Sequence, residues 1–157
     1  MVPDRATQIA AVRELPATLE GAVHGLSASQ LDTPYRPGGW TVRQVVHHLA
    51  DSHMNAFIRM KLILTEEHPR LKTYDQERWA ESADVSQVGI EPSLTLLRGL
   101  HQRWVAMLET LPEEAWSKAA DHPESGEVTL GSLLAVYAHH GENHVAQILS
   151  LRASRGW

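Results

Sequence analysis

The stretch that most limits how this chain can fold is "WTVRQVVHHLADSHMNAFIRMKLILTEE", residues 40–67. Val42, Val45, Val46, Leu49, Ala56, Phe57, Met60 and Leu64 recur at the three-and-four spacing of one helix face. Thr41, with Gln44 three residues later, reads as a capping box that starts the helix. The pattern stops near Glu66, ahead of Pro69. A helix with so long an apolar stripe has to bury it against other elements, and the rest of the chain supplies mainly more helices.

A first helix is predicted from near Asp4 to about Leu26. Pro16 falls inside it, so either the helix kinks there or a new one begins. "SASQLDTPYRPGG" reads as a loop from its Ser, Pro and Gly content. A third helix opens at "EPSLTLL", with Pro92 in its first turn and Leu94, Leu97, Leu100, His101, Trp104, Met107 and Leu108 on its stripe. "LPEEAW" predicts a short helical turn and "DHPESGE" a loop. A fourth helix runs from Thr129 to about Ala153. Four helices without a convincing strand predict an all-α four-helix bundle, one domain over residues 1–157. Residues 67–90 show no sustained period. A connection of that length between the second and third helices is expected to act as a lid or binding loop, with Tyr74 and Trp79 as its large side chains.

Composition removes several kinds of chemistry. The chain has no cysteine, which excludes disulfides, thiolate metal sites and cysteine nucleophiles. The net charge of -5 comes without a basic stripe, so nucleic acid is not an expected partner. No apolar run reaches the ~18 residues needed to span a bilayer. The start, "MVPDRATQIA", lacks the layout of a secretory leader, so the expected location is the cytoplasm. What stands out is 10 histidines. A transition metal would be held here by imidazole and carboxylate.

Within "YAHHGENHVAQI", the stripe of the fourth helix runs through Tyr137, Gly141 and Ile148. His144 falls inside that stripe and His140 on its flank, while His139, Glu142 and Asn143 point away. Imidazoles four residues apart on one helix can chelate one ion, or form a hydrogen-bonded pair. Gly141 leaves room near the stripe's centre. On the second helix, "HHLADSH" offers His47 facing outward, His48 on a flank and His53 nearer the apolar centre. Periodicity alone favours His53 as the inward residue, either as a ligand or as a satisfied core histidine. Arg43 and Arg59 are candidates for binding a substrate anion, or solvated charges.

The segments "SQLDTPYRPGGWTVRQVVHHLADSHMNAFIRMKLILTEE", "HQRWVAML" and "TLGSLLAVYAHHGENHVAQI" closely resemble the YfiT-type branch of the DinB superfamily, from about Leu15 to Trp157. The resemblance implies a four-helix bundle with a long crossover and a metal triad of His48, His140 and His144. It implies a zinc-dependent hydrolase, or a transferase that activates a low-molecular-weight thiol such as bacillithiol for attack on an electrophile. Nickel or another divalent ion could stand in for zinc. A small-molecule substrate and a homodimer are expected, with no nucleic-acid or membrane partner. The type member of the branch carries further histidines around its pair, where this chain has Glu142, Asn143 and Gln147. A proton shuttle through such histidines is therefore not expected here. The N-terminal arm is also shorter.

Beyond the metal, the sequence offers no inward carboxylate on either metal helix. Asp51 and Glu142 point away, leaving Glu66, Glu67, Asp75 or Glu77 of the connection to supply a general base. The alternative to an enzyme is a non-catalytic, stress-related bundle in which the metal staples the second and fourth helices. The two differ in whether an open, substrate-sized pocket adjoins the histidines.

Overall fold

The computed structural model describes residues 3–157; residues 1–2 of the expected domain lie outside the described residues. In chain order the elements are α1 (Arg5–Val23), one-turn α2 (Ala28–Leu31), α3 (Val42–Thr65), short α4 (Gln76–Ala80) and α5 (Ala83–Gln87), and α6 (Glu91–Glu109). A 3-10 turn (Glu113–Ser117), a hairpin of β1 (Ala119–His122) and β2 (Gly126–Thr129), and α7 (Leu130–Arg155) complete the chain. Three of the four long helices start with a side-chain cap, the expected Thr41–Gln44 box among them. The Asp4 side chain accepts from the Thr7 N–H, and Thr41 with Gln44 and Thr129 with Ser132 form reciprocal boxes.

The four long helices form a bundle in which α1 and α3 each pack against both α6 and α7. Side-chain pairs give their directions. Arg5–Glu113 and Glu20–Arg98 set α1 antiparallel to α6. His47–Ser93, His53–His101 and Met60–Trp104 set α3 parallel to α6. Arg59–Tyr137 and His48–His144 set α3 antiparallel to α7. Because α6 starts beside the beginning of α3, the chain must travel back along all 24 residues of α3, about 36 Å at helical rise. The connection between α3 and α6 is long for this reason.

That connection is not the unstructured segment its sequence suggests. It holds α4 and α5, which pack on α3 and cover the face that periodicity had assigned to solvent. His47 is consequently buried, its Nδ1 2.7 Å from the Ser93 hydroxyl. Helices of five residues are too short for an amphipathic period to register. The second difference is the hairpin, where no strand was expected. Asp121 and His122 of "DHPESGE" belong to β1, and Asp121 pairs with Glu127 in an antiparallel register. The Leu71 N–H donates to the Asp121 carbonyl at 2.8 Å, tying the hairpin to the return connection.

Pro16 starts no new helix, and α1 runs through it. Proline has no N–H to offer the carbonyl of Val12 four residues earlier. That oxygen instead accepts from His101 Nδ1 at 2.5 Å.

The core has two apolar halves. One gathers Ile9, Phe57, Met60, Trp104 and Leu134, the other Leu19, Val45, Leu49, Leu97 and Ile148. In sequence, His53 on α3, His101 on α6 and His140 on α7 each fall between members of the two halves. Gly141 lies at this level. A Cβ there would stand 2.6 Å from the Leu15 side chain, so the glycine permits close approach of α1 rather than of a ligand. Leu15 is itself buried among other core side chains, which leaves it little room to move. In Gly141→Ala, overpacking of about 1–3 kcal/mol outweighs the ~1 kcal/mol gained in helix propensity. Thermal unfolding of this variant is expected to show a Tm a few degrees lower; a raised Tm would mean that Leu15 yields freely.

Candidate metal centre

Three imidazoles meet where α3 passes α7. The Nε2 atom of His140 lies 3.1 Å from His48 Nε2 and 3.2 Å from His144 Nε2. Among the described residues, these three form a group whose ligand atoms all lie within 4.8 Å of one another. His140 and His144 share a face because four residues nearly complete a helical turn. His48 reaches them from α3, with its ring centroid 5.2 Å from His140 and 5.0 Å from His144.

Burial and mutual repulsion keep these rings neutral. The His48 pKa is pushed down to about 3, first by burial and then by His140 and His144. Burial, with His144, lowers His140 to about 4. His144 is also lowered by burial, opposed by its bond to Gln147. A neutral ring keeps one nitrogen lone pair free, as a metal ligand requires.

The other nitrogen of each α7 histidine is also engaged. His144 Nδ1 lies 2.8 Å from Gln147 Oε1, an acceptor, so that nitrogen carries the proton and Nε2 carries the lone pair. His140 Nδ1 lies 3.3 Å from His53 Nε2. His53 is wholly buried, and its Nδ1 lies 3.0 Å from His101 Nε2. Burial lowers the pKa of His53 well below its ordinary value and lowers that of His101. Periodicity was therefore right that His53 points inward. In the structure it touches His140 and His101 and lies behind the three-imidazole group.

A pocket of about 360 Å³ opens over the cluster, lined by all three imidazoles together with Arg36, Trp40 and Glu77. The Trp40 ring centroid lies 4.5 Å from that of His48, and its indole N–H donates to Glu77 Oε2 at 2.9 Å. Trp40 and Glu77 had no periodic signal, since one precedes a helix cap and the other sits in a five-residue helix. Trp79, one of the two large side chains of the expected binding loop, packs against the other, Tyr74, with ring centroids 4.5 Å apart and does not line the pocket over the cluster. Tyr74 lines a second pocket of about 630 Å³ beside His140, with Arg59, Asp75, His122 and Tyr137. Glu66 and Glu67 line neither pocket.

The remaining candidates are not part of the three-imidazole group. His139 is exposed, as the helical wheel predicts. Arg43 pairs with Asp32 at 2.7 Å. Arg59 is buried and donates to the Tyr137 hydroxyl and the Lys72 carbonyl, while its Nε has no partner. Two further histidines lie apart from the group: His68 bonds Asp121, and His24 is exposed.

A four-helix bundle with parallel α3 and α6, carrying three converging imidazoles under an open pocket, defines the class. The chain belongs to the DinB superfamily, whose family model matches residues 11–148. A Bacillus cereus protein named "Putative metal-dependent hydrolase" is 50% identical over 151 residues, covering 96% of this chain and 87% of its own. A Geobacillus kaustophilus protein with the same descriptive name is 52% identical, covering 95% of this chain and 84% of its own. Among solved structures, YfiT from Bacillus subtilis superposes with a TM-score of 0.94 at 47% identity, over 97% of this chain and 87% of YfiT. It is described as a probable metal-dependent hydrolase with an unusual four-helix bundle topology. A second four-helix bundle, with a TM-score of 0.58 and 19% identity, shares the fold. No helix among the described residues is long and apolar enough to cross a membrane.

The neutral histidines make the metal-free chain acid-sensitive. An imidazole that stays neutral when folded but protonates near 6.5 when unfolded lets the unfolded state bind more protons. Stability is then present above pH ~6.5 and is lost as pH falls, by on the order of 2 kcal/mol by pH ~5 for each such ring. Asp51, whose pKa is pushed up to about 6 by burial, works in the opposite direction but is a single half-buried group. Urea midpoints of the chelator-treated protein are expected to drop steeply between pH ~6.5 and ~5. A flat profile over that range would mean that the rings protonate freely in the fold.

Proposed function

We propose that this chain is a zinc-dependent hydrolase acting on a small molecule, with His48, His140 and His144 holding the ion through Nε2. The observation that carries this reading is the nitrogen spacing of 3.1 and 3.2 Å. Two nitrogens bound tetrahedrally at 2.0–2.1 Å from zinc would lie about 3.3 Å apart, so the two spacings to His140 match the ion, and the third pair lies within 4.8 Å. Its chemistry fits as well, since all three rings are kept neutral by burial. Nickel or another divalent ion suits the same imidazoles. Bound there, the ion supplies Lewis acidity, which can make water nucleophilic near neutral pH, polarise a carbonyl, or keep a thiol as its thiolate.

The chain's own residues provide the rest. Glu77 is tied to Trp40 through Oε2, and it serves as the general base that takes the proton from attacking water. Trp40 walls one side of the pocket and shields His48 from solvent. The names of the relatives support hydrolysis, and the pocket of about 360 Å³ supports an enzyme over a metal-stapled bundle. A cytoplasmic homodimer with no nucleic-acid or membrane partner is part of the same reading.

A second reading keeps the site and changes the nucleophile to a low-molecular-weight thiol such as bacillithiol, transferred to an electrophile. Arg36 on the pocket wall favours it, as a guanidinium able to pair with an anionic thiol.

Panels of activated esters and amides are expected to reveal zinc-dependent turnover in the wild-type chain. Glu77→Gln is expected to keep its zinc while kcat falls about 10²–10⁴-fold. Wild-type kcat in this variant would remove Glu77 as the base. Incubating the zinc protein with monobromobimane and bacillithiol tests the second reading, and conjugation at the uncatalysed rate would eliminate it.

A further inference from the structure

We propose that His101 and His53 form an imidazole relay, anchored on the Val12 carbonyl, that fixes the proton of His140 on Nδ1 and so presents its Nε2 lone pair to the metal. The proposal rests on the metal reading above, and it names two positioning residues that lie behind the ligands.

The order of protons follows from the one group in the relay that cannot donate. A carbonyl oxygen only accepts, so His101 Nδ1, 2.5 Å from Val12 O, must carry the hydrogen. In a neutral ring that leaves a lone pair on His101 Nε2, which accepts from His53 Nδ1 at 3.0 Å. His53 Nε2 is then the acceptor for His140 Nδ1 at 3.3 Å. His140 Nε2 is left with its lone pair directed at His48 and His144. Reasoning from the metal end gives the same order, because a neutral His140 bound through Nε2 must keep its proton on Nδ1. Reversing all three tautomers would turn a nitrogen lone pair toward the Val12 oxygen and leave two buried acceptors facing each other.

Pro16 makes the anchor available. In an unbroken helix the N–H of residue 16 would occupy the Val12 carbonyl, and proline has none. The same oxygen shows that the relay is a lock rather than a proton wire. An imidazole chain conducts when its end group can take up a proton, and an amide carbonyl cannot. The relay also joins all four long helices, from α1 through α6 and α3 to α7, so the position of the metal ligand is referred to the whole bundle. Gln147 does the same for His144 in one step.

The test uses the unaltered chain, labelled with ¹⁵N at histidine and studied by long-range nitrogen–proton NMR, both metal-free and zinc-loaded. His53, His101 and His140 are each expected as the Nδ1–H tautomer in both forms. An Nε2–H tautomer at His53 or His101 would overturn the relay. If the chain takes up no zinc, the metal reading falls, and the metal-free tautomers still decide the relay. A second measurement uses His101→Leu, which contacts no proposed ligand. Its zinc Kd, from chelator competition, is expected to weaken about 10–100-fold, as for loss of other partners behind metal ligands. An unchanged Kd in a folded His101→Leu chain would show that His101 only fills space.

Discussion

The interior of this bundle has to enclose imidazole rings without leaving their nitrogens unpaired. Each buried donor or acceptor left without a partner costs about 1–3 kcal/mol, and most of the histidines that meet that demand sit at one level of the core. The two apolar halves stop on either side of this level, with Trp104 and Leu134 on one side and Leu97 and Ile148 on the other. Between them the rings satisfy one another, with the Val12 carbonyl at one end and three converging Nε2 atoms at the other. That end opens to a pocket, and there the unused lone pairs become a resource.

Topology brings the pocket to the same place. With α3 and α6 parallel, the chain must retrace the length of α3, and it lays α4 and α5 along that helix as it returns. Glu77 of α4 thus reaches the indole of Trp40, beside His48. The length of the connection and the presence of a carboxylate at the histidines have one cause.

The sequence discloses the long-range order well where a period has room to develop. The 24 residues of α3 and 26 of α7 carry enough turns to fix their faces and caps, and the pairing of His140 with His144 is local to one helix. His48 was different. The helical wheel left it on a flank beside a better-placed His53, and only resemblance to a known family set it with the α7 pair. Helical angles describe one helix at a time, whereas the meeting of His48 with His140 depends on which helix is its neighbour. His53 was inward, as its angle implied, but its angle could not show that its partners would be two further histidines. The hairpin, α4 and α5 escaped because four or five residues carry no measurable period. Gly141 was legible as a small residue at a crowded level, though the occupant is Leu15 of α1.

The claim on which the rest hangs is that three imidazoles bind one ion. X-ray absorption at the zinc edge of the loaded chain measures this without a known substrate. The spectrum is expected to fit three imidazole nitrogens at about 2.0–2.1 Å, with the outer-shell scattering of rigid rings and one or two further light atoms. A fit with fewer than three imidazoles, or an unchanged spectrum when His48, His140 and His144 are all replaced by alanine, would contradict it.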